Sequence, residues 1–140
     1  MRGYIHLYYG EGKGKTTAAM GLASRALGHG KKVVIVQFLK KGESGEVNSL
    51  EKLGAHIFSG KAGDGFRVAD MTGDEREKTK EISNENLKAA LECECDVLIL
   101  DELCAALNND MADMGLIKKI LQKKDHGTEI IITGRKPPQW

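Results

Sequence analysis

Long apolar runs are missing from this sequence of 140 residues. The longest, such as residues 97–100 and 130–132, fall far short of the roughly 20 residues that cross a bilayer. The N-terminus is polar within its first six residues, so no secretory signal is expected. We therefore predict a cytoplasmic protein with no membrane partner.

An excess of charge of one sign is also missing. Lys and Arg number 21 and Asp and Glu number 20, which gives a formal net charge of +1. Such a chain has no overall field that would attract a nucleic-acid backbone, so we predict no nucleic-acid partner. Any anion that binds must be held by a local group of residues.

Cysteine is scarce, with three residues, an odd number that favours reduced thiols over a disulfide framework. Cys93 and Cys95 form a C-x-C pair, and Cys104 stands apart. A zinc site would need a fourth ligand at a recognisable spacing, and none of the four histidines supplies one. Buried or incidental thiols are therefore expected rather than a metal site.

The length and the 41% of hydrophobic residues predict one globular domain over residues 1–140. Strand-like and helical patterns alternate along the chain. Several strands are continuously apolar, which is typical of parallel strands covered on both faces. The predicted fold class is α/β, a three-layer α/β/α sandwich with a mostly parallel sheet. The predicted strands are residues 4–9, 33–39, 56–59, 96–100 and 129–133, and the predicted helices are 15–27, with Gly28 as its cap, 75–94 and 113–123.

Residues 60–74, GKAGDGFRVADMTGD, follow neither a helical nor a strand period. A segment of this length in a compact domain is either functional or a solvated connection, and composition alone leaves both open.

A phosphate-binding loop is predicted where the first strand meets the first helix. Glycines there allow the backbone N–H groups to turn inward as an anion nest, and the helix N-terminus adds partial positive charge. The lysine before the threonine pair would reach the terminal phosphates, and the first threonine would place its hydroxyl on Mg²⁺. The usual first glycine of the pattern is replaced by Tyr9. The predicted loop consists of Gly10, Glu11, Gly12, Lys13, Gly14, Lys15, Thr16 and Thr17.

Asp101 and Glu102 follow the apolar strand at 97–100, at the edge where α/β sheets bind ligands. One of these acids can hold Mg²⁺ directly or through water. The alternative is that Asp101 only caps the next helix. Beside the predicted loop, the pair predicts a protein that binds a magnesium nucleoside triphosphate. A motor ATPase, a kinase and an enzyme that uses another part of ATP all remain open from the residues alone.

The stretch YYGEGKGKTTAAMGLASRALGHGKKVVIVQFLKKG closely resembles the start of the P-loop type of ATP:corrinoid adenosyltransferases, and Asp101-Glu102 and Thr133-Gly134-Arg135 extend the likeness. This resemblance implies a P-loop NTPase fold of RecA-like type. It also implies transfer of the 5′-deoxyadenosyl group of ATP to the Co(I) of a reduced corrinoid, with release of triphosphate. Lys15, Thr16 and Glu102 would then be catalytic, with Mg²⁺ or Mn²⁺ held by Thr16, Asp101 and Glu102.

The family's corrinoid contacts are matched only in part. Arg135 would contact the triphosphate of ATP, and Phe66 would face the corrinoid, but Val68 stands where the family has a second aromatic residue. Relatives continue past T-G-R into another helix and strand, whereas this sequence ends at Trp140. The resemblance further implies a homodimer and a reductase or reduced flavoprotein that makes Co(I). A small P-loop kinase or ATPase, and a nucleotide-binding regulatory module, are the alternatives.

Overall fold

A computed structural model describes residues 3–9, 14–40, 45–62 and 68–134. Within these ranges lie five β-strands and five α-helices, with two short 3-10 helices. The strands are β1 (Ile5–Tyr9), β2 (Val33–Phe38), β3 (His56–Gly60), β4 (Val97–Asp101) and β5 (Glu129–Gly134). The helices are α1 (Lys15–Gly28), α2 (Gly45–Lys52), α3 (Gly73–Glu92), α4 (Leu103–Asn108) and α5 (Met114–Leu121), and the 3-10 helices are Val68–Asp70 and Gln122–His126.

The five strands form one sheet in the order β1-β5-β4-β2-β3, and every neighbouring pair is parallel. Their carboxyl ends therefore meet at one edge. The three strands in the middle of the sheet are buried almost throughout, since helices cover both faces.

Two apolar clusters sandwich the sheet. Val34, Leu98 and Ile130 belong to the cluster under α3, α4 and α5. Ile35 and Ile99 point the other way, into the cluster under α1 and α2. This alternation is the period of two that a strand imposes on its side chains. The predicted three-layer α/β/α fold is confirmed.

The end of α1 differs from the prediction. The helix includes Gly28, and it is Gly30 that takes the left-handed conformation, with φ of 76°. The N–H groups of Gly30 and Lys31 donate to the carbonyls of Leu27 and Ala26 beyond the last turn. Gly30, not Gly28, therefore closes the helix, because a glycine adopts positive φ at little cost.

The start of α3 was predicted two residues too late. Thr72 precedes the helix, and its hydroxyl accepts the N–H of Glu75 at 3.1 Å while the Glu75 carboxylate accepts the N–H of Thr72 at 2.9 Å. This reciprocal capping box satisfies two N–H groups that a helix start leaves open. Gly73 therefore begins the helix, although glycine disfavours helix interiors.

Two short helices, α2 and α4, were not predicted. In α2 only Val47 and Leu50 are buried, and α4 has six residues. Segments of one or two turns carry little periodicity, so packing decides them. No helix in the described part of the chain is both long and apolar enough to span a membrane.

Candidate nucleotide-binding site

The N-terminus of α1 lies at the carboxyl edge of the sheet, where the predicted phosphate loop ends. Gly14 occupies the cap position with φ of 98°, a conformation that residues with a Cβ rarely adopt, and no side chain caps the helix there. The first N–H groups of an α-helix have no carbonyl partner within the helix, so this end of α1 is suited to binding an anion. Gly10, Glu11, Gly12 and Lys13 lie outside the described residues, so their phosphate contacts stay a prediction.

Lys15, Thr16 and Thr17 form the first turn of α1. Lys15 and Thr16 are half-buried and Thr17 is exposed. The Thr16 hydroxyl donates to Asp101 Oδ1 at 3.0 Å, across 85 residues of sequence. The fold therefore brings together two of the three residues that were predicted to share a metal ion.

Asp101 is the last residue of β4, and its side chain is completely buried. Oδ1 accepts from the hydroxyls of Thr16 at 3.0 Å and Thr133 at 2.7 Å, and Oδ2 accepts from Lys40 Nζ at 3.0 Å. A buried carboxylate is costly unless it is paired and hydrogen-bonded, and here both oxygens are used. Asp101 does not cap α4, because Glu102 occupies that position.

Thr133, on β5, was quoted in the T-G-R motif without a role. Its hydroxyl donates to Asp101 and accepts the backbone N–H of Glu102 at 3.0 Å. A Cβ added at the next residue, Gly134, would overlap the side chain of Cys104 in α4. Thr133 and Gly134 thus hold the turn after β4 close to β5. Arg135 lies outside the described residues.

Glu102 follows Asp101 with φ of 64°, in the left-handed region. A non-glycine residue held in a sparsely populated conformation costs of order 1–3 kcal/mol, and such residues cluster at functional sites. Glu102 is half-buried at the edge of the sheet, next to the Thr16–Asp101 contact. This position agrees with its predicted role as a metal-binding or positioning acid, which stays a prediction.

Lys40 was missed by sequence reasoning. It lies just beyond β2, which is a direct neighbour of β4, and its ammonium pairs with Asp101. The available signals were a lysine at the carboxyl end of a buried strand and its position in the QFLKKG end of the stretch that resembles the family, to which no role was assigned. They become informative only once the order of the strands is known.

A row of polar residues crosses the sheet at its carboxyl edge, on the face covered by α1. Parallel register aligns Gln37 with Asp101 on one side and Ser59 on the other, and Tyr8 with Thr133. Gln37 is only 3% exposed, and no donor in the described part of the chain reaches its Oε1. An unpaired buried acceptor is costly, so this oxygen calls for a donor that a ligand or its water would supply.

The oxygen donors around Asp101 fit the predicted Mg²⁺ or Mn²⁺. Hydroxyl and carboxylate oxygens are the ligands that Mg²⁺ prefers, and the ion commonly takes one or two carboxylates together with substrate phosphates and waters. Gln37, which is aligned with Asp101 across the sheet, adds a buried amide oxygen next to these donors. Among residues 3–9, 14–40, 45–62 and 68–134, no group of three or more His, Cys, Asp or Glu side chains is arranged to hold an ion alone.

Two of the three cysteines, Cys95 and Cys104, have raised pKa values. Burial raises the pKa of Cys95 to about 11, against a smaller opposing effect of the Lys123 ammonium. Burial, reinforced by the negative charge of Glu102, also raises the pKa of Cys104. Because the thiolate is the metal ligand and nucleophile, these protonated thiols are poorly suited to either role at neutral pH.

The family model described as ATP:corrinoid adenosyltransferase BtuR/CobO/CobP matches residues 1–140. The chain belongs to this family. The prediction of an adenosyltransferase enzyme is thereby confirmed, and the kinase, ATPase and regulatory-module alternatives are not favoured.

Named relatives agree with this adenosyltransferase assignment. The corrinoid adenosyltransferase of Escherichia coli strain K12 is 36% identical over 135 residues, which cover 96% of this chain and 68% of the relative. Corrinoid adenosyltransferase CobA of Salmonella typhimurium is 33% identical, with the same coverage. The corrinoid adenosyltransferase of Pseudomonas aeruginosa is 31% identical over 137 residues, 96% of this chain and 67% of that protein.

A solved structure supports the fold of the adenosyltransferase chain. The flagellar accessory protein FlaH from Methanocaldococcus jannaschii superimposes with a TM-score of 0.57 over 95% of this chain, at 18% identity. The chain spans 61% of the length of that protein. At this identity the likeness concerns the fold alone, and it agrees with the predicted P-loop, RecA-like type.

The corrinoid-facing half of the adenosyltransferase site stays a prediction. Phe66 lies outside the described residues, and Val68 begins the 3-10 helix Val68–Asp70 that leads to α3. Residues 60–74 were left open between a functional segment and a connection. Their described part contains the last residue of β3, the 3-10 helix at 68–70 and the first two residues of α3.

Proposed function

We propose that this protein transfers the 5′-deoxyadenosyl group of ATP to the Co(I) of a reduced corrinoid and releases triphosphate. Family membership supplies the reaction, and the hydrogen bond between Thr16 and Asp101 is the structural observation that carries the site. It joins the start of α1 to the end of β4, the two places where a P-loop protein binds its nucleotide and metal.

In this reaction the Co(I) of the substrate is the nucleophile and C5′ of ATP is the electrophile. A Co–C bond forms while the C5′–O bond breaks, and the electron pair of the broken bond leaves on the triphosphate. No proton is abstracted, so no general base is needed. Stabilising the charge that grows on the leaving group is the main task left to the protein.

The triphosphate would be bound by the loop from Gly10 to Thr17, with Lys15 and Arg135 as cations. Backbone N–H groups at the N-terminus of α1 and charge-assisted contacts from Lys15 favour the more negative product-like state. Thr16, Asp101 and Glu102 would hold Mg²⁺ or Mn²⁺, which supplies Lewis-acid stabilisation of the leaving phosphate oxygens. Thr133 keeps Asp101 oriented through its hydrogen bond.

The remaining parts of the proposal concern the corrinoid and the partners. Phe66 would pack against the corrinoid, with Val68 in place of the second aromatic residue. The protein would act as a homodimer in the cytoplasm, as a single domain over residues 1–140, and would receive its substrate from a reductase or reduced flavoprotein. An isologous dimer is the commonest arrangement for soluble oligomers.

Incubation with Mg-ATP and chemically reduced Co(I) corrinoid tests the proposed reaction. We expect a light-sensitive Co–C product by absorbance and triphosphate by phosphorus NMR. Asp101→Asn should abolish the reaction, whereas Asp96→Asn, at an exposed position just before the opposite end of the same strand, should retain it. ADP as the sole product would contradict the proposal, as would equal activity in the Asp101→Asn variant.

A further inference from the structure

The ion pair between Lys40 and Asp101 is asymmetric. The carboxylate is fully buried, whereas 40% of the lysine side chain is exposed. The lysine takes only Oδ2, since Oδ1 is occupied by the hydroxyls of Thr16 and Thr133. Lys40 is therefore the partly exposed member of a pair whose carboxylate is closed to solvent.

The backbone before Lys40 forms a turn that positions its side chain next to Asp101. Leu39, the residue before it, has φ of 62° and packs on the apolar cluster below α3. The Lys40 carbonyl accepts the N–H of Gly60 at 2.7 Å, which ties this turn to the end of β3. A bulky residue at positive φ costs of order 1–3 kcal/mol and persists only where the surroundings maintain it. The turn that brings Lys40 back to Asp101 is thus maintained despite its cost.

Lys40 and the proposed metal would compete for the same carboxylate, that of Asp101. Thr16 and Lys40 contact opposite oxygens of Asp101, so an ion bound beside Thr16 lies close to the ammonium. Two cations at one carboxylate repel each other, and the effect is strong in a buried site. A triphosphate carries more negative charge than one divalent ion neutralises, so it offers the ammonium a second anion.

We propose that Lys40 is a second triphosphate-binding lysine, held by Asp101 in the nucleotide-free protein and transferred to the triphosphate when metal-bound nucleotide enters. This inference rests on the proposed function and adds a cation to Lys15. As the C5′–O bond breaks, negative charge grows on the triphosphate. The Lys40 ammonium could move to pair with it, because it is a point charge on a flexible side chain. It would favour the state in which triphosphate is the leaving group.

Calorimetric titration of the protein with sodium tripolyphosphate in the presence of Mg²⁺ tests the role of Lys40 without any corrinoid. The Lys40→Met variant lacks one charge-assisted contact, so its affinity for tripolyphosphate should be about ten- to a hundredfold lower than that of the wild type. Lys40→Arg keeps the charge and should lose much less affinity. Lys31→Met removes an exposed lysine before the opposite end of β2 and should bind like the wild type.

The outcomes separate the two proposals. If Lys40→Met is less stable on heating but binds tripolyphosphate as tightly as the wild type, Lys40 serves only to neutralise Asp101, and this inference is overturned. If Lys40→Met does not fold, equal affinity of Lys40→Gln and the wild type would overturn it in the same way. If neither the wild type nor Lys31→Met binds tripolyphosphate, the proposed function fails, and the inference fails with it.

Discussion

Replacing Gln37 by Met should stabilise the nucleotide-free protein and weaken its response to Mg-ATP. Gln37 is buried beside Asp101, and its Oε1 meets no donor in the described part of the chain. Leaving a buried acceptor unpaired costs about 1–3 kcal/mol. Met has a similar length and volume without the polar atoms, so the substitution should remove this cost.

The expected change in Tm follows from the length of the chain. Globular proteins gain about 2.1 cal/mol/K of unfolding entropy per residue near 60 °C, which for 140 residues is about 0.3 kcal/mol/K. A gain of about 1 kcal/mol therefore raises Tm by about 3 °C. Differential scanning calorimetry without ligand should show a rise of at least this size. With saturating Mg-ATP, the further rise in Tm should be smaller in Gln37→Met than in the wild type, because methionine has no amide oxygen to accept a hydrogen bond from a metal-bound water.

Ser83→Ala is the matched control for Gln37→Met. Ser83, on α3, is 2% exposed, and its hydroxyl likewise has no partner among the described residues. It lies on the face of the sheet opposite α1, so its removal should leave the Mg-ATP response unchanged. An unchanged or lower Tm for Gln37→Met would refute the reasoning, since it would mean that Oε1 is already satisfied.

Three further predictions concern the predicted loop, the corrinoid and a buried thiol. Lys15→Ala should abolish adenosyl transfer with an unchanged circular dichroism spectrum, whereas exposed Lys88→Ala should keep both; undiminished turnover in Lys15→Ala would contradict the phosphate-loop assignment. Phe66→Ala should impair the corrinoid step but spare ATP binding measured by calorimetry, and a parallel loss of both would show that the site is divided wrongly. Burial raises the pKa of Cys95 from 9.0 to about 11, so as the pH rises the thiol loses its proton in the unfolded chain before it does so in the folded protein. The free energy of unfolding should therefore fall between pH 9 and 11. The free energy of unfolding measured with urea should decline less steeply over this pH range for Cys95→Ala than for the wild type. An identical decline in both proteins would argue against the raised pKa.

The sequence by itself determined the features that depend on local pattern. Continuously apolar segments predicted strands buried on both faces, and the small-residue pattern after Gly14 predicted α1, because each follows from the period of its own backbone. The glycine-rich loop with Lys15 and Thr16 predicted phosphate binding for the same reason. Short helices such as α2 and α4 escaped, since a turn or two of helix carries too little period.

Only the tertiary structure decided which side chains meet Asp101. The strand order β1-β5-β4-β2-β3 places β5 and β2 on either side of β4, and this order cannot be read from the pattern of any one strand. It brings Thr133 to one side of the carboxylate and Gln37 and Lys40 to the other. The buried charge of Asp101 is tolerated only because hydrogen-bonding and charged partners surround it. These partners come from segments that are distant in sequence and meet only when the chain packs.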